Sequence, residues 1–317
     1  MTSLTDPRHR ADTLSFFTAA LQNFEDEHLL FSVLCSVSDP DPTPPTPPPP
    51  HSETKPVERL IILDSSFNPP TAAHAQMVLS AVEDYYDPTA TETTAVGPGH
   101  ARTDTQGGPI PAGAKGSARI LLLLSVQNAD KAPKPASFPQ RLCMMYLFAK
   151  DLQRTLPPGL RVDVALGSHP YFHSKSEVIA REKEYDAREQ IFLAGYDTLI
   201  RIFNPKYYTS ETMQNVLGPF FERARLRVTL RGGADWGGEG EQWGYMAELG
   251  AGGIERVGGR KEWLDRIDVV ENKGAVVSST LARAAVERGD ARELGEQLGE
   301  GVKGWILGEG LYNDKEP

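Results

Sequence analysis

The chain has 317 residues, a formal charge of −10, 39% hydrophobic residues, 29 glycines and 25 prolines. That length admits one large or two ordinary domains. The acidic balance argues against a nucleic-acid polymer as partner, which needs a basic face, yet it leaves room for a nucleotide held by a few local cations. Cys35 and Cys143 are the only cysteines, which excludes a disulfide scaffold and favours a reducing compartment. No apolar run reaches the roughly 20 residues that span a bilayer. The first ten residues carry charge and no apolar core, so no secretory signal is expected.

Leu14, Phe17, Ala20, Leu21 and Phe24 recur at helical spacing and predict an amphipathic helix over 11–24. A strand is expected over 29–37, completing an N-terminal extension at 1–38. Eight of the eleven residues from Pro40 to Pro50 are proline. This linker, 39–56, is expected to be extended because proline donates no backbone hydrogen bond, and a proline-motif-binding partner for 40–50 is one reading of it. The main domain is expected over 57–317. Leu60-Ile61-Ile62-Leu63 reads as a strand buried on both faces of a parallel sheet, followed by a helix over 71–85. The Gly-, Pro- and Thr-rich stretch 87–117 lacks periodicity and reads as a flexible insert. Further strands are expected over 120–126, 160–166, 190–194, 226–230 and 267–270. Helices are expected over 139–153, after the 190–194 strand, over 280–288 and over 291–306. Residues 232–259 contain eleven glycines and read as a second flexible insert. Strands alternating with helices predict an α/β fold with a doubly wound parallel sheet carrying long flexible inserts.

Two motifs stand near the ends of this domain. The first is Asp64-Ser65-Ser66-Phe67-Asn68-Pro69-Pro70-Thr71-Ala72-Ala73-His74, where a strand ends and a helix begins. Ligands of open α/β sheets bind at the carboxyl ends of strands. Small serines allow close approach of a phosphate, the prolines can open a helix, and Thr71 and His74 fall on one helical face. The helix N-terminus adds partial positive charge. The second motif, Val277-Ser278-Ser279-Thr280-Leu281-Ala282-Arg283, opens another helix. Ser278 or Ser279 can cap it, and Arg283 lies on the face of Thr280, so hydroxyls, amides and a guanidinium can converge on one anion. Taken alone, each motif is also compatible with an ordinary capped turn.

Together the two motifs resemble the G-S-F-N-P-x-[HT]-x-G-H and I-S-S-T-x-x-R signatures of the nucleotidylyltransferases, which have a Rossmann-like fold. The T-x-x-H form is similar to eukaryotic nicotinamide mononucleotide adenylyltransferases, and the wording L-D-S-S-F-N-P-P-T-x-x-H with a helical extension before it most resembles a fungal branch of them. Ser65 and Ala73 replace the signature's two glycines, and Ser65 lacks glycine's freedom at positive φ. Gly195-Tyr196-Asp197-Thr198-Leu199 resembles the family's G-x-D-x-[LF] element, which implies nucleotide contact by Gly195 and Asp197. The resemblance implies catalytic roles for His74, Thr71 and Arg283. It implies phosphate binding by Ser65, Ser66, the Phe67 backbone, Lys131, Ser278, Ser279 and Thr280. Relatives stack the pyridine on a mid-chain tryptophan. Here Tyr208, with Tyr207, Tyr171 and Phe172, is better placed than Trp236, Trp243, Trp263 or Trp305.

The activity implied is joining of nicotinamide mononucleotide and ATP to give NAD⁺ and pyrophosphate, with Mg²⁺ accompanying ATP and no protein metal site. The expected location is cytoplasmic or nuclear. Two alternatives stay open: another acceptor, such as nicotinate mononucleotide or pantetheine phosphate, and a nucleotide-binding interaction protein with little catalysis. Gly113-Ala114-Lys115-Gly116-Ser117 fails the P-loop spacing and precedes a strand. His169 and His173 have zinc-like spacing only if helical, which Pro170 disfavours.

Overall fold

Leu60 and Ile62 face one helical layer while Ile61 and Leu63 face the other, so this strand is buried on both sides as its unbroken apolar run requires. It is β2 (Arg59–Asp64) of a seven-stranded sheet. The structure, a computed structural model, describes residues 6–38, 47–50, 58–86, 116–127, 135–185, 187, 189–232, 237–272 and 277–313. The other strands are β1 (Phe31–Val37), β3 (Ala118–Ser125), β4 (Val162–Gly167), β5 (Glu189–Gly195), β6 (Ala224–Thr229) and β7 (Ile267–Val270). Their order is β1-β4-β3-β2-β5-β6-β7. All neighbouring pairs are parallel except β1 with β4, which is antiparallel. The strand of the N-terminal extension thus forms one edge of the sheet.

One layer contains α1 (Pro7–Asp26), α2 (Ala72–Tyr85), α3 (Phe138–Gln153), α9 (Ser279–Arg288), α10 (Ala291–Gln297) and α11 (Glu300–Glu309). The opposite layer contains α4 (Phe172–Arg181), α5 (Tyr196–Ile202), α6 (Met213–Arg223), α7 (Glu239–Glu248) and the short α8 (Ile254–Arg256). The fold is a doubly wound α/β sheet of Rossmann-like type. The chain leaves β2 toward β3 and β4, then returns to β2's other side at β5. The strand order therefore reverses at β2 and β5, and a crevice opens at their carboxyl ends. Among the described residues, no helix is long and apolar enough to cross a membrane.

Three local expectations differ. The helix expected over 291–306 is two helices, because Asp151 of α3 packs where the chain must turn. The Gly301 amide donates to Asp151 Oδ2 at 2.9 Å, and a side chain at Gly299 would put its Cβ 2.5 Å from that oxygen. The glycine-rich 232–259 stretch, expected as a loop, contains α7 and α8; residues 233–236 within it lie outside the described residues. Gln242 of α7 is fully buried and ties that helix to β6: it accepts from the Arg231 amide at 3.0 Å and donates to the Arg231 carbonyl at 2.7 Å. Leu249 and Ile254 then join the core. Helices α4 and α6 were not anticipated. Pro219 hides the helical spacing of Met213, Leu217, Phe220 and Phe221, and α4 has few apolar positions. Most of the 39–56 linker and of the 87–117 insert lies outside the described residues.

At the amino ends of the strands lies a belt of buried charge. Glu189, which opens β5, accepts from Arg266 Nη1 at 2.7 Å, and its carboxylate lies 3.6 and 3.7 Å from Nε of Arg225 and Arg59. Asp163 of β4 accepts from Ser36 and Tyr185 and faces Arg119. Burial raises the affinity of Asp163 for a proton, and the hydroxyls and Arg119 oppose that effect. Removing one member of such a network strands the rest in low dielectric. Glu189→Ala should therefore lower stability by about 3–5 kcal/mol, read as a shift in the urea unfolding midpoint. An unchanged midpoint would show that the belt contributes nothing.

Candidate functional site

The crevice at the carboxyl ends of the strands is a cleft of about 1720 Å³. Its centre is the turn from β2 into α2. Thr71 is extended there (φ −132°, ψ 171°) and precedes the first helical residue. Its amide would otherwise lack an intrahelical acceptor. His74, one turn in, folds back to accept from that amide at Nδ1, 3.0 Å away. A backbone amide only donates, so Nδ1 carries the lone pair. The proton is on Nε2, which lies 3.0 Å from Ser65 Oγ and donates to it. Thr71 Oγ1, 2.9 Å from Nδ1, is a second donor to the same lone pair. Burial first, and the charge of Arg231 second, lower the pKa of His74 from 6.5 to about 4. The cleft thus presents a neutral imidazole with Nε2–H.

The second motif closes against the first. Ser278 caps α9 by accepting from the Leu281 amide at 3.1 Å. Ser279 Oγ donates to the carbonyl of Pro69 at 2.7 Å, and Arg283 Nη1 donates to the carbonyl of Asn68 at 2.7 Å, across 210 and 215 residues. Arg283 Nη2 reaches Thr280 Oγ1 at 3.3 Å, so the two do share a helical face. Arg141 of α3 supports the same turn, donating to the Ser66 carbonyl at 3.4 Å and to the Ala136 carbonyl at 3.0 Å.

The glycine positions of the signature resolve simply. Among described non-glycine residues, only His28, Phe67 and Tyr312 have positive φ, so Ser65 needs no glycine-like backbone. The left-handed residue is Phe67 (φ 44°). Phe67 does not line the cleft. Its ring is 6.5 Å from Phe148 and 5.7 Å from His74 between ring centroids, and the residue is fully buried.

On the other side of the cleft, Asp197 of α5 pairs with Arg231 at 2.9 Å. Gly195 is required by that pair: a Cβ there would come 2.8 Å from Asp197 Oδ1 and 3.2 Å from Arg231 Nε. Tyr208 lines the cleft, but its hydroxyl donates to the Ile202 carbonyl at 2.5 Å, and burial pushes its pKa up. Tyr171 stacks on His173 at 5.6 Å and meets Tyr207 edge-on at 6.3 Å. Ser65, Ser66, Thr71, His74, Gly195, Asp197, Tyr208, Ser278, Ser279, Thr280 and Arg283 all line one cleft. Lys131 lies outside the described residues.

Several lining residues escaped sequence reasoning. Arg231 follows β6 at the strand's carboxyl end, a position that could have signalled it. Lys175 of α4 is buried in an ion pair with Asp64, just before Ser65, and nothing in its local sequence marks it. Trp243 of α7, set aside from the sequence as less well placed than Tyr208, is 42% exposed and lines the cleft too. A chain of charge −10 thus lines one cavity with Arg141, Lys175, Arg201, Arg227, Arg231 and Arg283 among the carboxylates Asp64, Glu83, Asp84, Asp197 and Glu271; Arg141 and Arg283 bond backbone carbonyls there, which leaves their charge for an anion.

No family model matches the chain. It is 34% identical over 234 residues to a Schizosaccharomyces pombe protein named "Putative nicotinamide mononucleotide adenylyltransferase", covering 73% of this chain and 77% of the relative. Two solved structures of Plasmodium falciparum nicotinic acid mononucleotide adenylyltransferase, complexed with NaAD and with APC, are also similar. Each covers 80% of this chain and 97% of the other, at 12% and 10% identity and a TM-score of 0.44.

The depressed pKa of His74 has a consequence for stability. The unfolded chain takes up a proton on this imidazole near pH 6.5, whereas the folded chain resists until about pH 4. The contribution is therefore complete above pH 6.5 and is lost as pH falls toward 4. The pKa of His173 is lowered in the same way, so the comparison must be with His74→Asn. Urea midpoints of the wild type should fall more steeply than those of His74→Asn between pH 6.5 and 4. Parallel curves would contradict the neutral imidazole.

Proposed function

The chain belongs to the family of nicotinate and nicotinamide mononucleotide adenylyltransferases, and from that premise we propose that it joins nicotinamide mononucleotide to ATP, giving NAD⁺ and pyrophosphate. The observation that carries this reading is the meeting of the two motifs: Ser279 and Arg283 bond the Pro69 and Asn68 carbonyls of the turn that leads to His74.

The 5′-phosphate of the mononucleotide attacks the α-phosphorus of ATP in line. A P–O bond forms, the bond to the β-phosphate oxygen breaks, and pyrophosphate leaves. The attacking phosphate is already anionic near neutrality, so no general base is needed, and catalysis is positioning with charge stabilisation. His74 would turn Nε2–H from Ser65 to an α-phosphate oxygen as charge builds there. Its low pKa makes it a neutral hydrogen-bond donor before ATP binds. Thr71, Ser65 and Ser66 would hold the α-phosphate, with Lys131 as a further cation. Ser278, the backbone of Ser279, Thr280 and the remaining N–H groups of Arg283 would grip the leaving pyrophosphate.

Gly195 and Asp197, with Arg231, would bind the nucleotide sugar. Tyr208 and its aromatic neighbours Tyr171 and Tyr207 would offer the pyridine ring a platform. Among the described residues no group of three or more His, Cys, Asp or Glu could hold a metal. Mg²⁺ would be brought in on the triphosphate, since it keeps much of its water and binds phosphate oxygens. When bound, it supplies charge neutralisation.

The assay is ATP and Mg²⁺ with nicotinamide mononucleotide, or with nicotinate mononucleotide in parallel, and detection of each dinucleotide. NAD⁺ should form. His74→Ala should lower kcat by about 10²–10³ with an unchanged circular dichroism spectrum. Formation of the nicotinate dinucleotide alone would move the acceptor, and wild-type turnover by His74→Ala would overturn the role of His74.

A further inference from the structure

After α11 the chain turns through two left-handed residues, Gly310 (φ 62°) and Tyr312 (φ 62°). Glycine adopts that conformation freely. For tyrosine it is disfavoured, and such a conformation persists only where surrounding contacts over-determine it. Those contacts are in the phosphate turn. The Tyr312 phenol, 9% exposed, donates to Asn68 Oδ1 at 2.8 Å, across 244 residues and in a buried setting. Its oxygen also lies 3.8 Å from Met144 Sδ in α3. Asn68 is itself buried, and its carbonyl is the acceptor for Arg283 Nη1. One residue thus receives the last described turn of the chain through its side chain and the second motif's guanidinium through its backbone.

We infer that Tyr312 is a positioning residue for the pyrophosphate half of the site: by fixing Asn68 it fixes the carbonyl that aims Arg283. This rests on the proposed adenylyl transfer, in which Arg283 holds the leaving group. Arg283 is a long, flexible cation whose fork must be oriented before its free N–H groups can meet a polyphosphate. Its Thr280 contact, at 3.3 Å, is looser than the 2.7 Å bond to Asn68, so the Asn68 carbonyl is the stronger constraint. Tyr312 touches no reacting atom. It acts through Asn68 and then Arg283, so its loss should be felt by the β- and γ-phosphates and not by the mononucleotide.

The test is Tyr312→Phe, which keeps the ring in the core and deletes only the hydroxyl. One neutral hydrogen bond corresponds to roughly a fivefold change. The KM for ATP, and the dissociation constant for magnesium pyrophosphate by calorimetry, should rise by about that factor. The KM for the mononucleotide should stay unchanged, while the urea midpoint falls modestly because buried Asn68 Oδ1 loses its donor. In an Arg283→Ala background, Tyr312→Phe should add no further loss, because the residue it works through is gone. Unchanged pyrophosphate affinity would overturn the inference, as would a full additional loss in that background. A uniform loss for both substrates would also overturn it, marking a structural role. A wild-type chain that binds pyrophosphate but makes neither dinucleotide would refute the proposed function alone, and the pyrophosphate titration would still decide the role of Tyr312. A wild type that does not bind pyrophosphate would refute both.

Discussion

A single hydrogen bond, from the Thr71 amide to Nδ1 of His74, governs the character of the cleft. It arises from backbone geometry alone, because the residue before a helix has an amide with no partner and a side chain three positions on can supply one. Once that acceptor is Nδ1, the imidazole has a fixed tautomer, a fixed ring plane and a proton on the nitrogen that faces Ser65. Burial then keeps the ring uncharged near neutrality. Such a group donates a hydrogen bond without bringing a positive charge of its own. Positive charge in the cleft is carried instead by lysine and arginine side chains: Lys175 and Arg231 are paired with Asp64 and Asp197, and Arg141 and Arg283 bond backbone carbonyls of the turn.

The fold divides its ionic groups between the two ends of one sheet. At the amino ends, Glu189, Asp163 and their arginines are locked together in the interior, where they pin neighbouring strands. At the carboxyl ends, lysine and arginine side chains line an open cleft beside the turn of β2. The reversal of strand order at β2 and β5 opens that cleft, and α9, reached only after β7, crosses back to close it against Asn68 and Pro69. Neither motif makes a site without the other. The contact between them uses carbonyl acceptors, which leaves several N–H groups of Arg283 for an anion.

Much of this was legible in the sequence because the strands are continuous apolar runs and the two motifs sit at strand-to-helix joints. Ser278, Ser279, Thr280 and Arg283 cluster as their spacing predicts, and His74 meets Thr71 as a three-residue separation in a helix allows. Nothing local reveals that the Phe67 ring turns into the core. The helix in 232–259 was hidden because its anchor is Gln242, a polar residue whose burial depends on the distant Arg231 backbone. Tyr312, Lys175 and Arg231 share that property. Each earns its place through a partner far away in sequence, Asn68, Asp64 and Asp197 respectively, and periodicity carries no record of such pairs.

The most direct measurement is the protonation of the His74 ring nitrogens in the free protein at neutral pH, by long-range proton–nitrogen correlation on ¹⁵N-histidine-labelled chain, with His74→Asn identifying the resonance. The account predicts a neutral ring with the proton on Nε2 and a bare Nδ1. A proton on Nδ1, or a doubly protonated ring, would contradict it, because the imidazole could then neither accept from Thr71 nor serve as a neutral donor in the cleft.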